Sequence, residues 1–256
     1  MLNAILRNKA GREALSDGSS NTIYDMFRWQ EDIRTSTVFE RLMYFPPDLA
    51  WNVLQQASKS LPHFRMATIV STEFWPSFPC PDDGRLRAEP DVFIRWELGD
   101  PIVRYDMIVE AKLPWTKQDV TQHEAQLSSY LAQFSGAGDC DSETEEDLAD
   151  HVIYLCVDGL GNNPQREVTT ISPRIPDGMP PVTIAACSWQ DLADVVGHMN
   201  ENGDFAEVAD KLVRDIAEAL AFCGHRYFAI DDTVLSAEAP TKYKKSLRSI
   251  HDWNCY

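Results

Sequence analysis

Glu89-Pro90-Asp91-Val92-Phe93-Ile94 and Met107-Ile108-Val109-Glu110-Ala111-Lys112 are the two stretches that decide how this chain folds. Both are rich in the β-branched and apolar residues that favour strands. Between them, Leu98-Gly99-Asp100-Pro101 is a turn sequence. Strand side chains alternate, so Glu110 and Lys112 share one face while Val109 and Ala111 share the other. A hairpin turning about Gly99-Asp100 pairs residues whose numbers sum to about 199, setting Asp91 opposite Ile108 and roughly 7–8 Å diagonally from Glu110. Apolar strands have little reason to hold charges on the inside. Two carboxylates at that separation can share a divalent cation, with the Ala111 carbonyl as a third oxygen. Lys112 beside them can orient a water attacking phosphorus or stabilise the charge that develops there.

Working outward, residues 1–34 are expected to form a helical lead-in broken by the polar cluster Asp17-Gly18-Ser19-Ser20-Asn21. Thr37-x-x-Glu40 fits a capping box, so a helix is predicted from Thr37 until Pro46-Pro47, with Asp48 capping a second through Ala57. Residues 66–75 read as a strand, followed by a proline-rich loop to Pro81. A helix is predicted over 118–134, with Gln126 and Tyr130 four apart on one face and Leu127 and Leu131 on its buried stripe. His151–Val157 and Val182–Cys187 read as short apolar strands, and Trp189-Gln190-Asp191-Leu192 opens a helix. An amphipathic helix follows through Phe205, Leu212, Ile216 and Cys223, closed by Gly224. The order predicts one α/β domain, a mixed central β-sheet flanked by helices.

The 256 residues can bury a substantial core, and 44% hydrophobic with 25% charged content is ordinary for a soluble globular protein. No apolar run approaches the roughly 20 residues that cross a bilayer, so no membrane association is expected. The six cysteines include no C-x-x-C pair, which points to reduced thiols in a cytoplasm. A net charge of −17 opposes simple nucleic-acid binding. Part of the excess sits in the run Asp139–Asp147, while Lys242, Lys244, Lys245 and Arg248 make the tail basic.

On Pro90-Asp91, Glu110-Ala111-Lys112 and Gln126-x-x-x-Tyr130, the chain resembles the PD-(D/E)XK nuclease superfamily, the last motif matching its RecB-like branch. Glu40 is similar to the acid often found on that superfamily's first helix, with Glu73 as the substitute. The resemblance spans roughly residues 35–157 as catalytic core, with 158–230 as C-terminal α/β additions and 231–256 as a basic tail. It implies an αβββαβ restriction-endonuclease-like fold, Mg²⁺ or Mn²⁺ dependence and hydrolysis of DNA phosphodiester bonds. Asp91, Glu110, Ala111 and Glu40 would hold the metal, Lys112 would activate water, and Gln126 and Tyr130 would position the metal's hydration shell or a phosphate. The acidity implies a protein partner or homo-oligomer that delivers DNA, and superfamily analogy suggests a bacterial or phage defence system. The alternatives are a catalytically silent nuclease-fold scaffold and an acidic DNA mimic. Glu110-x-Lys112 is the one acid-x-Lys triplet in the chain. Pro-Asp, by contrast, also occurs at residues 47–48, 81–82 and 176–177. His123 is expected on the surface, and Asp106 is expected to lie outside the site.

Overall fold

The two opening stretches pair at the centre of a five-stranded sheet in a computed structural model of the chain. The structure describes residues 12–14, 20–22, 30–79, 87–116, 118–136, 149–160, 164–203 and 207–228. A short antiparallel ribbon, β1 (Arg12–Ala14) and β2 (Ser20–Thr22), precedes helices α1 (Glu31–Met43) and α2 (Pro47–Ala57). Strand β3 (Ala67–Phe74) and a second small ribbon, β4 (Phe78–Pro79) with β5 (Arg87–Ala88), lead to β6 (Val92–Leu98) and β7 (Val103–Ala111). Helix α3 (Val120–Gly136) then crosses to β8 (His151–Val157). The one-turn α4 (Pro164–Glu167), strand β9 (Val182–Cys187) and helices α5 (Trp189–Asn202) and α6 (Glu207–Phe222) complete the order. No described helix is long and apolar enough to cross a membrane.

The sheet order is β3-β6-β7-β8-β9, antiparallel through β7 and parallel from β7 to β9. Parallel neighbours need a crossover, which α3 supplies between β7 and β8. Strand β7 therefore sits in the middle, and every residue from Tyr105 to Ala111 is buried. The two faces are both apolar but differ in what covers them. Val92, Ile94, Trp96, Met107 and Val109 share a core with α1, α2, α5 and α6. Phe93, Ile108, Tyr154 and Cys156 pack with Leu127 and Leu131 of α3. Glu110 belongs by alternation to the α3 face.

Several expectations need correction. The β6–β7 turn spans Gly99 to Ile102, with Leu98 paired to Val103 and Val92 to Val109, so paired numbers sum to 201. A shift of two preserves the face of every residue and carries Asp91 one step past the last pair, directly across from Glu110 instead of Ile108. Helix α1 starts at Glu31, not Thr37, and has no side-chain cap; Thr37 is a buried interior position. Acids Glu31 and Asp32 in its first turn suit the positive end of the helix dipole. Asp48 caps nothing either: Pro47 opens α2 and the Asp48 carboxylate accepts from the Ala67 N–H at 2.6 Å, tying α2 to β3. The helical lead-in fails at residues 12–14 and 20–22, which are strands, and among the described residues is helical only at 31–34, where α1 begins. The acidic run and the basic tail lie outside the described residues.

The helical layer grips the sheet through Trp51 of α2, whose ring meets Trp96 of β6 edge-on with centroids 5.3 Å apart. Both are fully buried. Trp51→Ala is expected to lower unfolding free energy by about 3–5 kcal/mol in urea titration, because the packed surroundings cannot close the cavity. Val70→Thr, at an exposed irregularity in β3, should stay within about 0.5 kcal/mol of the parent.

Candidate functional site

Strand β7 ends at Ala111, and Glu110 and Lys112 project from that end on the α3 face. The start of β6 brings Asp91 alongside, where its Oδ2 accepts from the Ala111 N–H at 2.7 Å. This bond fixes the carboxylate against the neighbouring strand. Glu110 is the hub. Its Oε1 accepts from Lys112 Nζ at 2.7 Å and from Gln126 Nε2 at 2.9 Å, and its Oε2 accepts from the Tyr130 hydroxyl at 3.1 Å. Asp91, Glu110 and Lys112 are all buried. The four-residue spacing on α3 is what lets Gln126 and Tyr130 reach the same carboxylate.

The first helix supplies an acid, but from a different place than the sequence suggested. Glu40 is exposed and accepts from Tyr44 within its own helix at 3.2 Å. It stands nine residues, about 13 Å of helix rise, from the end of α1 that faces the site. Glu31 occupies that end: Oε1 accepts from Lys112 Nζ and Oε2 from the Leu113 N–H, both at 3.0 Å. The capping-box reading of Thr37 hid it by starting the helix six residues late, and the paired acids Glu31-Asp32 were the available signal. Glu73 is exposed on β3 opposite Phe93, which puts it on the Asp91 face without a bond to the cluster.

Three further residues shape the site. Gly159 follows β8 at φ +77°, and a Cβ there would stand 2.8 Å from Lys112 Cγ, so glycine leaves room for the lysine stem. The Trp189 indole N–H donates to the Lys112 carbonyl at 2.8 Å, holding the chain as it leaves β7. His123 is fully buried rather than on the surface, with Nδ1 3.1 Å from the Tyr154 hydroxyl beneath the site. Burial, then the nearby Lys112 charge, lowers His123 to about 4, so its ring is neutral. Asp106, on the same face of β7, is taken up by Arg95 in a two-bond pair at 2.8 and 3.0 Å.

The electrostatics are unbalanced. Burial first, and then the Glu110 carboxylate, push the Asp91 carboxyl up to about 7, and Glu31 adds to the rise. The Ala111 N–H and Lys112 oppose it without cancelling it. Burial disfavours the Lys112 ammonium, yet Glu110, Asp91 and the Glu31 hydrogen bond outweigh burial and hold its pKa above the ordinary range. Lys112 is therefore a fixed positive charge in this arrangement.

Two carboxylates, nearby backbone carbonyls and an amide oxygen are hard donors of the kind Mg²⁺ takes, usually through one or two carboxylates plus waters. Gln126 Oε1 is buried and has no hydrogen-bond partner among the described residues, which leaves an acceptor for a coordinated water or ion. Among the described residues no group of three or more His, Cys, Asp or Glu side chains is gathered to hold a metal. The pair fits a lightly held, hydrated cation in place of a closed cage. No family model, curated protein or solved structure matches this chain.

The sign of the Asp91 effect is testable. An acid whose folded pKa exceeds its unfolded value stabilises the fold fully below about pH 3.8 and loses that contribution as pH rises through about 7. Asp91→Asn removes the penalty, so the metal-free variant should match the parent near pH 4 and be more stable than it at pH 8, by on the order of 4 kcal/mol. Lys112→Met should act oppositely, costing about 3–5 kcal/mol by leaving buried carboxylates uncompensated. Thermal unfolding of both variants across pH without divalent ions checks this.

Proposed function

We propose that this chain is a metal-dependent nuclease that hydrolyses DNA phosphodiester bonds on a restriction-endonuclease-like fold. The observation that carries this reading is the buried acid pair Asp91 and Glu110, on the same face of adjacent strands, with Lys112 Nζ 2.7 Å from Glu110. The run of elements from α1 through β3, β6, β7, α3 and β8 supports it, being an αβββαβ order once α2 and the small ribbon are counted as insertions. The site also lies at the carboxyl end of the parallel strands, where open α/β sheets place their ligands.

In this reading Asp91 and Glu110 would hold Mg²⁺ or Mn²⁺, with the Ala111 carbonyl available as a further oxygen. When bound, the cation supplies positive charge at phosphorus and acidifies a coordinated water. Water adds to phosphorus, the bond to one ester oxygen breaks, and that oxygen leaves with a proton. Lys112, held charged, orients the attacking water and stabilises the extra negative charge on the phosphoryl oxygens instead of taking a proton itself. Gln126 and Tyr130 keep Glu110 from turning, and the open Gln126 oxygen can accept a hydrogen bond from the attacking water, whose protons end on the leaving oxygen and the phosphate. Glu31 fixes Lys112 from the other side.

The net charge of −17 supports a protein partner or second copy that brings DNA to the site. A setting in bacterial or phage defence rests on superfamily analogy. One observation favours a second reading, a silent scaffold: both Glu110 oxygens already accept from protein donors.

Plasmid cleavage with Mg²⁺ or Mn²⁺ separates the two. Wild type should cleave, Asp91→Ala and Lys112→Ala should each lose about 10²-fold or more, and Glu40→Ala should cleave normally. Cleavage that survives both site substitutions would sink the assignment. A wild type that neither cleaves nor gains thermal stability from Mg²⁺ supports the scaffold.

A further inference from the structure

Two exposed tryptophans lie on the chain segments that adjoin the acid pair. Trp75 follows the last residue of β3 beside Asp91, its backbone N–H donating to the Asp91 backbone carbonyl at 3.1 Å, and it is 36% exposed. Its φ of +48° is uncommon for so bulky a residue, so the surrounding contacts hold it there at a cost to the backbone. Trp115 lies three residues beyond Lys112, in a turn closed by the Thr116 N–H on the Leu113 carbonyl at 2.9 Å, and it is 53% exposed.

Trp115 is backed by a charge. The Arg34 guanidinium sits 5.7 Å from the Trp115 ring centroid and 5.7 Å from that of buried Trp189. Arg34 is one helical turn after Glu31, so the same end of α1 steadies Lys112 and supports Trp115. An indole fixed in this way gives up little freedom when a flat ring settles on it.

The chain's charge selects what that ring is. With a net of −17, binding cannot rest on broad attraction for phosphates. Stacking on an aromatic face does not depend on net charge, and every nucleobase offers such a face. Bases inside a duplex are already covered on both faces, so stacking selects unpaired nucleotides.

We propose that Trp75 and Trp115 are stacking platforms for unpaired nucleobases on either side of the acid pair, so that the site takes a single strand or frayed end in preference to intact duplex. This names the substrate form for the nuclease reading and rests on it. The strand enters past one indole, presents a phosphodiester to Asp91, Glu110 and Lys112, and leaves past the other.

The test uses the full chain, Ca²⁺ in place of Mg²⁺ for binding, and fluorescein-labelled oligothymidine of about twelve nucleotides against a blunt hairpin of equal length. Fluorescence anisotropy should show tighter binding to the strand. Trp115→Ala and Trp75→Ala should each raise its Kd at least about fivefold. Trp115→Phe should retain most of the affinity, and Ile102→Ala, at the far end of the β6–β7 hairpin, should change nothing. Equal or tighter binding to the hairpin, no binding to either probe, or indole variants that bind like wild type would each overturn the proposal. Indole-dependent strand binding without cleavage in Mg²⁺ or Mn²⁺ would remove the nuclease reading and leave this one standing. Cleavage with indifference to both tryptophans would do the reverse.

Discussion

Two carboxylates on neighbouring strands, Asp91 and Glu110, are buried against a single ammonium, Lys112, and much of the surrounding structure serves that unequal arrangement. A third acid, Glu31, shares the same ammonium. The chain accommodates the surplus negative charge by raising Asp91 to about 7, so its proton stands in for a missing positive charge. A stability-driven core has no use for such a cluster, because apolar residues of similar volume would serve as well or better. The excess of acid over base is what a divalent cation would correct.

Each layer of the fold contributes one constraint on this cluster. The β6–β7 register sets Asp91 across from Glu110, and the Ala111 N–H fixes its orientation. The β7–α3–β8 crossover lays Gln126 and Tyr130 over Glu110 from one side of the sheet. From the other side α1 extends its first turn past the end of β7, where Glu31 meets Lys112 and Leu113. Helix α5, opened by a Ser188–Asp191 capping box, sends the Trp189 indole to the Lys112 carbonyl. The lysine is therefore held at its backbone, along its stem by the space Gly159 leaves, and at its tip.

The sheet was legible in the sequence because its strands are nearly continuous apolar runs, a pattern that survives errors of a residue or two. The β6–β7 register was misplaced by two, yet the site residues kept their face, since a strand repeats every two residues. Gln126 and Tyr130 were legible for the parallel reason that helical spacing fixes their common side. Glu31 was not, because Thr37-x-x-Glu40 imitates a helix start and local capping signals cannot report that tertiary contacts extend the helix backward. His123 was misplaced because its burial depends on Tyr154, 31 residues away, and on packing no local pattern encodes. Trp189 and Gly159 act on Lys112 only through the sheet's three-dimensional closure.

On the proposed function, the acid pair would exchange a proton for a metal ion. Calorimetric titration of Mg²⁺ and Mn²⁺ at pH near 7, repeated in buffers of different ionisation enthalpy, measures protons released on binding. Because Asp91 is raised to about 7, binding to the wild type should release a substantial fraction of one proton, and Asp91→Asn should abolish that release with most of the affinity. Metal binding that releases no protons and is unchanged in Asp91→Asn, or no binding at all in the wild type, would contradict the account.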